Sequence, residues 1–495
     1  MEVVSIEKAK IMDKKTIEEV GIPSIVLMEN AAENIFKSIV HKGNSFLFFC
    51  GVGNNGGDGL AIARKLFLVN KEVKIYIIGD LKKGSNEFLI NYNIVKQLGI
   101  VNNVIDEVSE SVISDIQRAD LIVDSIMGVG LNRNIEGVLY NLIKSINENS
   151  RYTISIDNPT GLNADTGKQM GISIIASKTF VIEVLKKGYF NCGVKEYLGE
   201  IEVVDINIPD YIKKNNSDNV QMVNKETLKK IIPKREIYGH KGDYGRIVIL
   251  AGSMGMTGAA YITTQSAVKT GAGLISLVVE KDIQPILSSK LIEAMTVNYD
   301  QEEEINKLIK NANVIICGPG LGKKEINKSM LYKFINESKC PIVLDADALN
   351  MVSEDNEILR KLEYRAIFTP HAGEMARLIK RDINYINENR IDVCREYAKN
   401  NIITLLKGFN TVISNGDKVI INNTGNSKMA SGGMGDCLTG IIGSLVAQGI
   451  GIYDSAVCGA YIHGAIGDML SKDKYVITAE DVIREVPKFI ESMLN

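Results

Sequence analysis

Residues 432–436, Gly432-Gly433-Met434-Gly435-Asp436, place three glycines beside one carboxylate at the head of an amphipathic, helix-like stretch. Glycine amides at a helix N-terminus offer unpaired donors to an anion. Phosphoryl transfer suits such a loop: amides neutralise the moving charge while Asp436 takes a proton from the accepting hydroxyl. A second glycine run, residues 51–59 (GVGNNGGDG), lies between the apolar run FLFFC and another amphipathic helix. Its Gly51-x-Gly53-x-x-Gly56 spacing satisfies the dinucleotide fingerprint, and Asp80 falls near the end of the next strand, where a ribose ligand belongs. An NAD-dependent oxidoreductase is therefore one reading, and a glycine turn that merely packs is another. Two features argue for something more specific. Helix-like sequence precedes this strand, whereas the fingerprint usually opens on the first strand, and Asn54, Asn55 and Asp58 exceed what a phosphate cradle requires.

The elements that must position these loops are legible as an alternation. Short apolar runs at 46–50, 74–79, 121–127, 153–157 and 179–184 alternate with longer helix-like stretches, which predicts a mainly parallel sheet with helices on both faces. After 201–209 the segment 210–219 is polar and lacks an apolar period, so it reads as a linker. A second alternating series runs through 246–252, 274–280, 313–320, 341–347, 366–371 and 401–408. The expectation is two α/β domains, 1–215 and 225–495, unlike each other because their glycine motifs differ and no fixed-period repeat is visible. The 495 residues, 45% hydrophobic and 24% charged, exclude a disordered or small stapled chain. A net charge of -3 speaks against a nucleic-acid or anionic-membrane binder, so small-molecule partners are expected. Seven scattered cysteines without a CxxC pair read as reduced thiols, not a zinc site. With no signal core and no spanning stretch, the expected location is the cytoplasm.

The run GVGNNGGDG, followed by DSIMGVGL (124–131) and SIDNPTGLNADTG (155–167), resembles the motifs of the NAD(P)H-hydrate epimerase family, also known from YjeF N-terminal domains, over most of residues 1–210. The resemblance implies a Rossmann-like three-layer α/β/α domain. It implies that Asn54, Asn55, Gly56, Gly57 and Asp58 hold the hydrated dinucleotide. Gly128, Val129, Gly130, Leu131, Asn132, Arg133 and Asn134 would line its phosphates, and Asn55, Asp124 and Thr160 would coordinate potassium, a hard cation suited to oxygen ligands. Asn158-Pro159-Thr160 departs from the family's common Ile-Pro-Ser type, yet Thr160 retains the hydroxyl. In such a ligand the ring nitrogen can expel the neighbouring hydroxyl and water can return on the other face. Asp157, just beyond a strand's C-terminal end, could shuttle that proton.

The second half resembles the ribokinase-like superfamily through its Gly-x-Gly-Asp loop. Through GSMGMTGAA (252–260), GPGLG (318–322), DADALN (345–350), TPHAGE (369–374) and LKG (406–408) it resembles the nucleotide-dependent NAD(P)H-hydrate dehydratases in particular, over about 240–470. Carried over, Ala259, Gly320, His371 and Asp436 would contact the substrate. Lys407, Gly408, Gly432, Gly433 and Gly435 would contact the nucleotide, with Asn422 to Gly432 bordering it. Catalysis would fall to Asp157 and Asp436. Glu374 reads equally as a first-turn helix residue or as a substrate or magnesium ligand, His240 and Lys241 as loop residues, and His463 as a core histidine. The implied protein is a bifunctional repair enzyme for hydrated NADH and NADPH, using K+, Mg2+ with the nucleotide, and ADP in preference to ATP, as a homo-oligomer. The rival is a ribokinase-type small-molecule kinase with a non-catalytic N-terminal ligand-binding domain.

Overall fold

A computed structural model describes residues 1–100, 102–131 and 133–494. The chain divides into two compact units, one spanning Met1–Val220 and the other beginning at Gln221. In the N-terminal unit a seven-stranded sheet runs in the order Asn102–Val104, Glu72–Ile78, Ser45–Gly51, Leu121–Ser125, Thr153–Ile156, Lys178–Ile182 and Glu200–Val204, every pair parallel. Both faces are covered, which is why these strands read as continuous apolar runs; Phe46, Phe48, Phe49 and Ile75 are at most 1% exposed. The chain enters this sheet near its middle at Ser45–Gly51, winds outward through Glu72–Ile78, then returns to Leu121–Ser125 on the other side. That reversal opens a crevice at the carboxyl ends of the two central strands, the place where open α/β sheets bind ligands.

Residues 210–219, read from sequence as a linker, are folded. Helix Asp210–Asn215 buries Ile212 in a cluster with Val4, Met12 and Leu27, and the Asp218 carboxylate accepts the Ser5 amide at 2.7 Å. A single buried isoleucine leaves no period for sequence reasoning to detect.

The C-terminal unit holds a ten-stranded sheet. Its order is Val220–Met222, Val419–Asn422, Thr411–Ser414, Ile403–Leu406, Ala366–Phe368, Ile342–Leu344, Val314–Cys317, Arg246–Leu250, Leu274–Val279 and Met295–Asn298. Strands from Ile403–Leu406 to Met295–Asn298 are parallel, and a meander adds antiparallel pairs at the other side. Helices Thr257–Thr270, Met434–Ala447 and Ile452–Leu470 pack around one apolar core with the sheet. Met434–Ala447 is buried from Cys437 to Ala447, so its sides are apolar or small and only its N-terminal turn reaches solvent. Strand order again reverses, here between Arg246–Leu250 and Val314–Cys317. The loops after these strands, and after the three that follow towards Ile403–Leu406, therefore share one edge of the sheet.

Candidate functional sites

In the N-terminal unit the strand Ser45–Gly51 turns almost directly into helix Asn54–Leu68, capped by extended Gly53. Glycine makes the turn possible: a Cβ on Gly56 would lie 1.7 Å from the Gly51 carbonyl oxygen, and one on Gly57 would lie 2.8 Å from Met28 Cε. Gly56 thus serves helix–strand packing and Gly57 helix–helix packing, while Asn54, Asn55 and Asp58 face a cavity of about 900 Å³. Gly128, Val129, Gly130, Leu131 and Arg133 line the same cavity, together with Asp157. Asn134 is exposed and does not line it, and Asn132 lies outside the described residues. Asp80 also stays outside; its carboxylate accepts the Lys82 amide at 3.0 Å as a helix cap, so it is not poised for a ribose.

Asp157 has a left-handed backbone (φ 64°), uncommon for a residue with a Cβ. The conformation is held at both ends of the residue: its amide donates to Phe180 O at 2.7 Å, and Tyr189 Oη donates to its carbonyl at 2.9 Å. Lys186, itself 2% exposed, donates to Asp157 Oδ1 at 2.7 Å and to Ile182 O at 3.2 Å. Asp157 Oδ2 points towards Gly128, where a built Cβ would meet it at 3.1 Å. Sequence reasoning missed Lys186 and Asp13, both on the cavity wall. The one signal for Lys186 is its place at the end of the largely apolar stretch 179–185.

Behind this wall Asp124 is fully buried. Its Oδ1 accepts Thr160 Oγ1 (2.6 Å) and the Ile126 amide (3.3 Å), and its Oδ2 accepts Ser155 Oγ (2.8 Å) and the Thr160 amide (2.9 Å). Burial raises its pKa, and the donors from Thr160 and Ser155 oppose that. The Asn55 amide is buried with neither its oxygen nor its nitrogen hydrogen-bonded.

In the C-terminal unit His371, Lys407, Gly408, Gly435 and Asp436 share a second cavity of about 640 Å³, which Asn422, Thr424, Asn426 and His463 also line. His371, Lys407 and Gly408 arrive from the ends of neighbouring strands, and Gly435 and Asp436 come from the first turn of Met434–Ala447, whose cap Gly433 is left-handed (φ 87°). Lys407 Nζ donates to Asp345 Oδ1 at 2.6 Å and stands 3.9 Å from Glu374; Thr439 Oγ1 donates to Asp345 Oδ2 at 2.9 Å. Burial disfavours the charge on both Lys407 and Asp345, but their attraction wins, raising the lysine pKa and lowering the aspartate's. Asp436 goes the other way. Burial and the nearby Asp345 charge push it up to about 6, against the opposing pull of Lys407.

His371 doubles as the cap of helix Ala372–Ile379: Nδ1 accepts the Gly373 amide at 2.9 Å, and Glu374 reciprocates by accepting the His371 amide at 2.8 Å. Ala259 and Gly320 do not line this cavity; they face each other at the strand reversal, a Cβ on Gly320 falling 2.8 Å from that of Ala259. Gly432 is exposed, and Gly433 packs near Ile262 and Ala479. His463, read as a core residue, lines the cavity, with burial lowering its pKa to about 4. Asp345 was visible only as a polar end to an apolar strand.

Two doubly wound α/β units, each with a cavity at its strand ends beside a glycine-rich turn into a helix, define the class: fused small-molecule enzymes, the second unit ribokinase-like. Residues 24–188 match the family model for the YjeF-related protein N-terminus, and residues 247–488 match that for NAD(P)H-hydrate dehydratase. The bifunctional NAD(P)H-hydrate repair enzyme of Moorella thermoacetica is 34% identical over 97% of this chain and 95% of its own. That of Escherichia coli K12 is 31% identical over 93% and 88%. A ribokinase-like superfamily protein from Enterococcus faecalis V583 aligns with 56% of this chain and 96% of its own (TM-score 0.51, 26% identity). The chain belongs to the bifunctional NAD(P)H-hydrate repair enzyme family.

Proposed function

We propose that the N-terminal cavity interconverts the R and S hydrates of NADH and NADPH, and that the C-terminal cavity dehydrates the S hydrate at the expense of ADP, with ATP the less favoured donor. The observation that carries the second step is the place of Asp436 in the first turn of Met434–Ala447, on the wall of the cavity it shares with Lys407. A ring hydroxyl is a poor leaving group. Asp436 takes its proton as the terminal phosphoryl group is transferred to it, and the glycine-loop amides and Lys407 hold the phosphoryl oxygens. Phosphate then leaves with the C–O electron pair, the adjacent ring carbon gives up a proton, and the dihydronicotinamide double bond is restored. Magnesium would enter on the nucleotide's phosphates, and Glu374 supplies a carboxylate to the cavity that suits a hard cation.

In the N-terminal unit Asp157 serves as the proton-transfer group. Potassium fits Asn55, Asp124 and Thr160 on two grounds: the Asn55 amide oxygen is buried without a donor, and the buried Asp124 carboxylate has no cationic side chain paired to it among the described residues. The ion would supply a fixed positive charge at the foot of the cavity. Domains of 1–215 and 225–495, a homo-oligomeric state and a cytoplasmic location remain part of this reading; no described helix is long and apolar enough to cross a membrane.

The test is to incubate the full chain with mixed hydrate epimers and ADP or ATP, following the absorbance of restored dihydronicotinamide and the released phosphate. Complete conversion of both epimers is expected, faster with ADP. A stable phosphorylated product without phosphate release would overturn the reading in favour of a small-molecule kinase.

A further inference from the structure

Epimerisation at the hydrated ring carbon needs a proton given on one face and a proton taken on the other. One carboxylate on one side of a planar intermediate serves only one of these faces well, so the cavity needs a second group. Asp58 is 7% exposed, and its carboxyl opens into the cavity shared with Asp157. It makes no hydrogen bond or ion pair with a described protein group, unlike Asp157, which is anchored by Lys186. A buried carboxyl group left without a partner is costly unless it is neutral or used.

We propose that Asp58 is the second acid–base residue of the epimerase and works with Asp157 as a pair that holds one proton between them. The inference rests on the assignment of epimerisation to this cavity. Asp58 protonates the leaving hydroxyl; the C–O bond breaks as the ring nitrogen lone pair forms the C=N bond, and water departs. Water adds to the opposite face, the C=N electron pair returns to nitrogen, and Asp157 takes the surplus proton. The product epimer leaves with the proton on Asp157, and its return through solvent to Asp58 completes the cycle. The reverse reaction starts from Asp157 protonated.

The surroundings divide the roles in that sense. Burial, then the charges of Asp157 and Asp13, hold the Asp58 pKa well above the carboxylate range. Asp13, on helix Ile6–Lys15, is pushed up to about 6 by burial and by Asp157, so it too can carry the returning proton. Lys186 faces Asp157 from strand Leu185–Lys186 and pairs with it, which leaves Asp58 as the carboxyl without a partner; Glu183 is already engaged by Lys213 and the Ile206 amide. Lys10 and Arg133 complete the charged lining. Environments that split two neighbouring carboxyls in this way mark an acid and a base.

The experiment uses the full chain without nucleotide, so that dehydration is idle, and follows conversion of the purified S hydrate to R by NMR. Asp58→Asn keeps the shape of the neutral acid but has no proton to exchange. It should slow epimerisation by about 10²–10⁴-fold, leave the dissociation constant for NADPH within about threefold, and abolish the alkaline limb of the rate profile. The unmodified enzyme should show both limbs, which tests the pair even without a variant. A D58N enzyme with wild-type rate, a rate loss matched by an equal loss of NADPH binding, or a wild-type profile flat on the alkaline side would each overturn the proposal. An Asp157→Asn enzyme of unchanged rate would instead overturn the underlying assignment, so the two failures are distinguishable.

Discussion

Replacing Asp436 by Asn should make the protein more stable and nearly inactive. With its pKa pushed up to about 6, Asp436 is mostly ionised at pH 7 and ready to accept a proton, and dehydration should fall roughly tenfold per pH unit below that value. The substitution removes that base, a loss of about 10²–10⁴ in turnover, and with it the acid limb of the profile. The same shift works against folding. The carboxyl ionises near 3.8 in the unfolded chain but near 6 when folded, so ionisation disfavours the native state. The penalty builds as pH rises from 3.8 to about 6 and is complete above that. About two pH units at roughly 1.4 kcal/mol each gives an upper bound of about 3 kcal/mol, reduced by the solvent that reaches this partly exposed side chain. The assay is a pair of thermal melts without nucleotide. Asp436→Asn should melt higher than wild type at pH 8, with the gap closing near pH 4, while repair turnover collapses at pH 7. A variant that repairs at wild-type rate, retains the acid limb, or is stabilised equally at both pH values would refute the argument.

Asp345→Ala leaves Lys407 buried without its hydrogen-bonded partner, Glu374 standing 3.9 Å away, and breaking such a pair costs about 3–5 kcal/mol, to be read from urea unfolding of the C-terminal unit. Nucleotide affinity, measured by calorimetry, should drop with it. Gly56→Ala drives a methyl into the Gly51 carbonyl, so the N-terminal unit should lose at least about 1–3 kcal/mol in a thermal melt while the C-terminal melt stays in place. Asp124→Ala removes the only charged member of the proposed potassium set; epimerisation should become insensitive to exchanging potassium for a large organic cation, and slow. Unchanged rates in both comparisons would count against the ion.

What could be read without coordinates was local. Each glycine or aspartate motif lies at the end of an apolar run, and a strand–turn–helix of this kind is determined by residues adjacent in the chain, so the two α/β units and the residues Asp157, Lys407 and Asp436 were legible. The pairs that tune them were not. Lys186 reaches Asp157 from 29 residues away and Asp345 reaches Lys407 from 62, because parallel strands become neighbours only through crossover connections. The split within the glycine run was equally hidden: Gly56 and Gly57 serve packing while Asp58 opens on the cavity, since facing is decided by where the helix axis settles on the sheet. His463 was read as core because its neighbours are small and apolar, and only packing of Ile452–Leu470 against Met434–Ala447 brings it to the cavity wall. Sequence determined which groups stand at the strand ends. Tertiary burial decided which carboxyl is paired with a lysine and which is left alone in the cavity wall, because desolvation and the approach of a distant charge exist only in the folded chain.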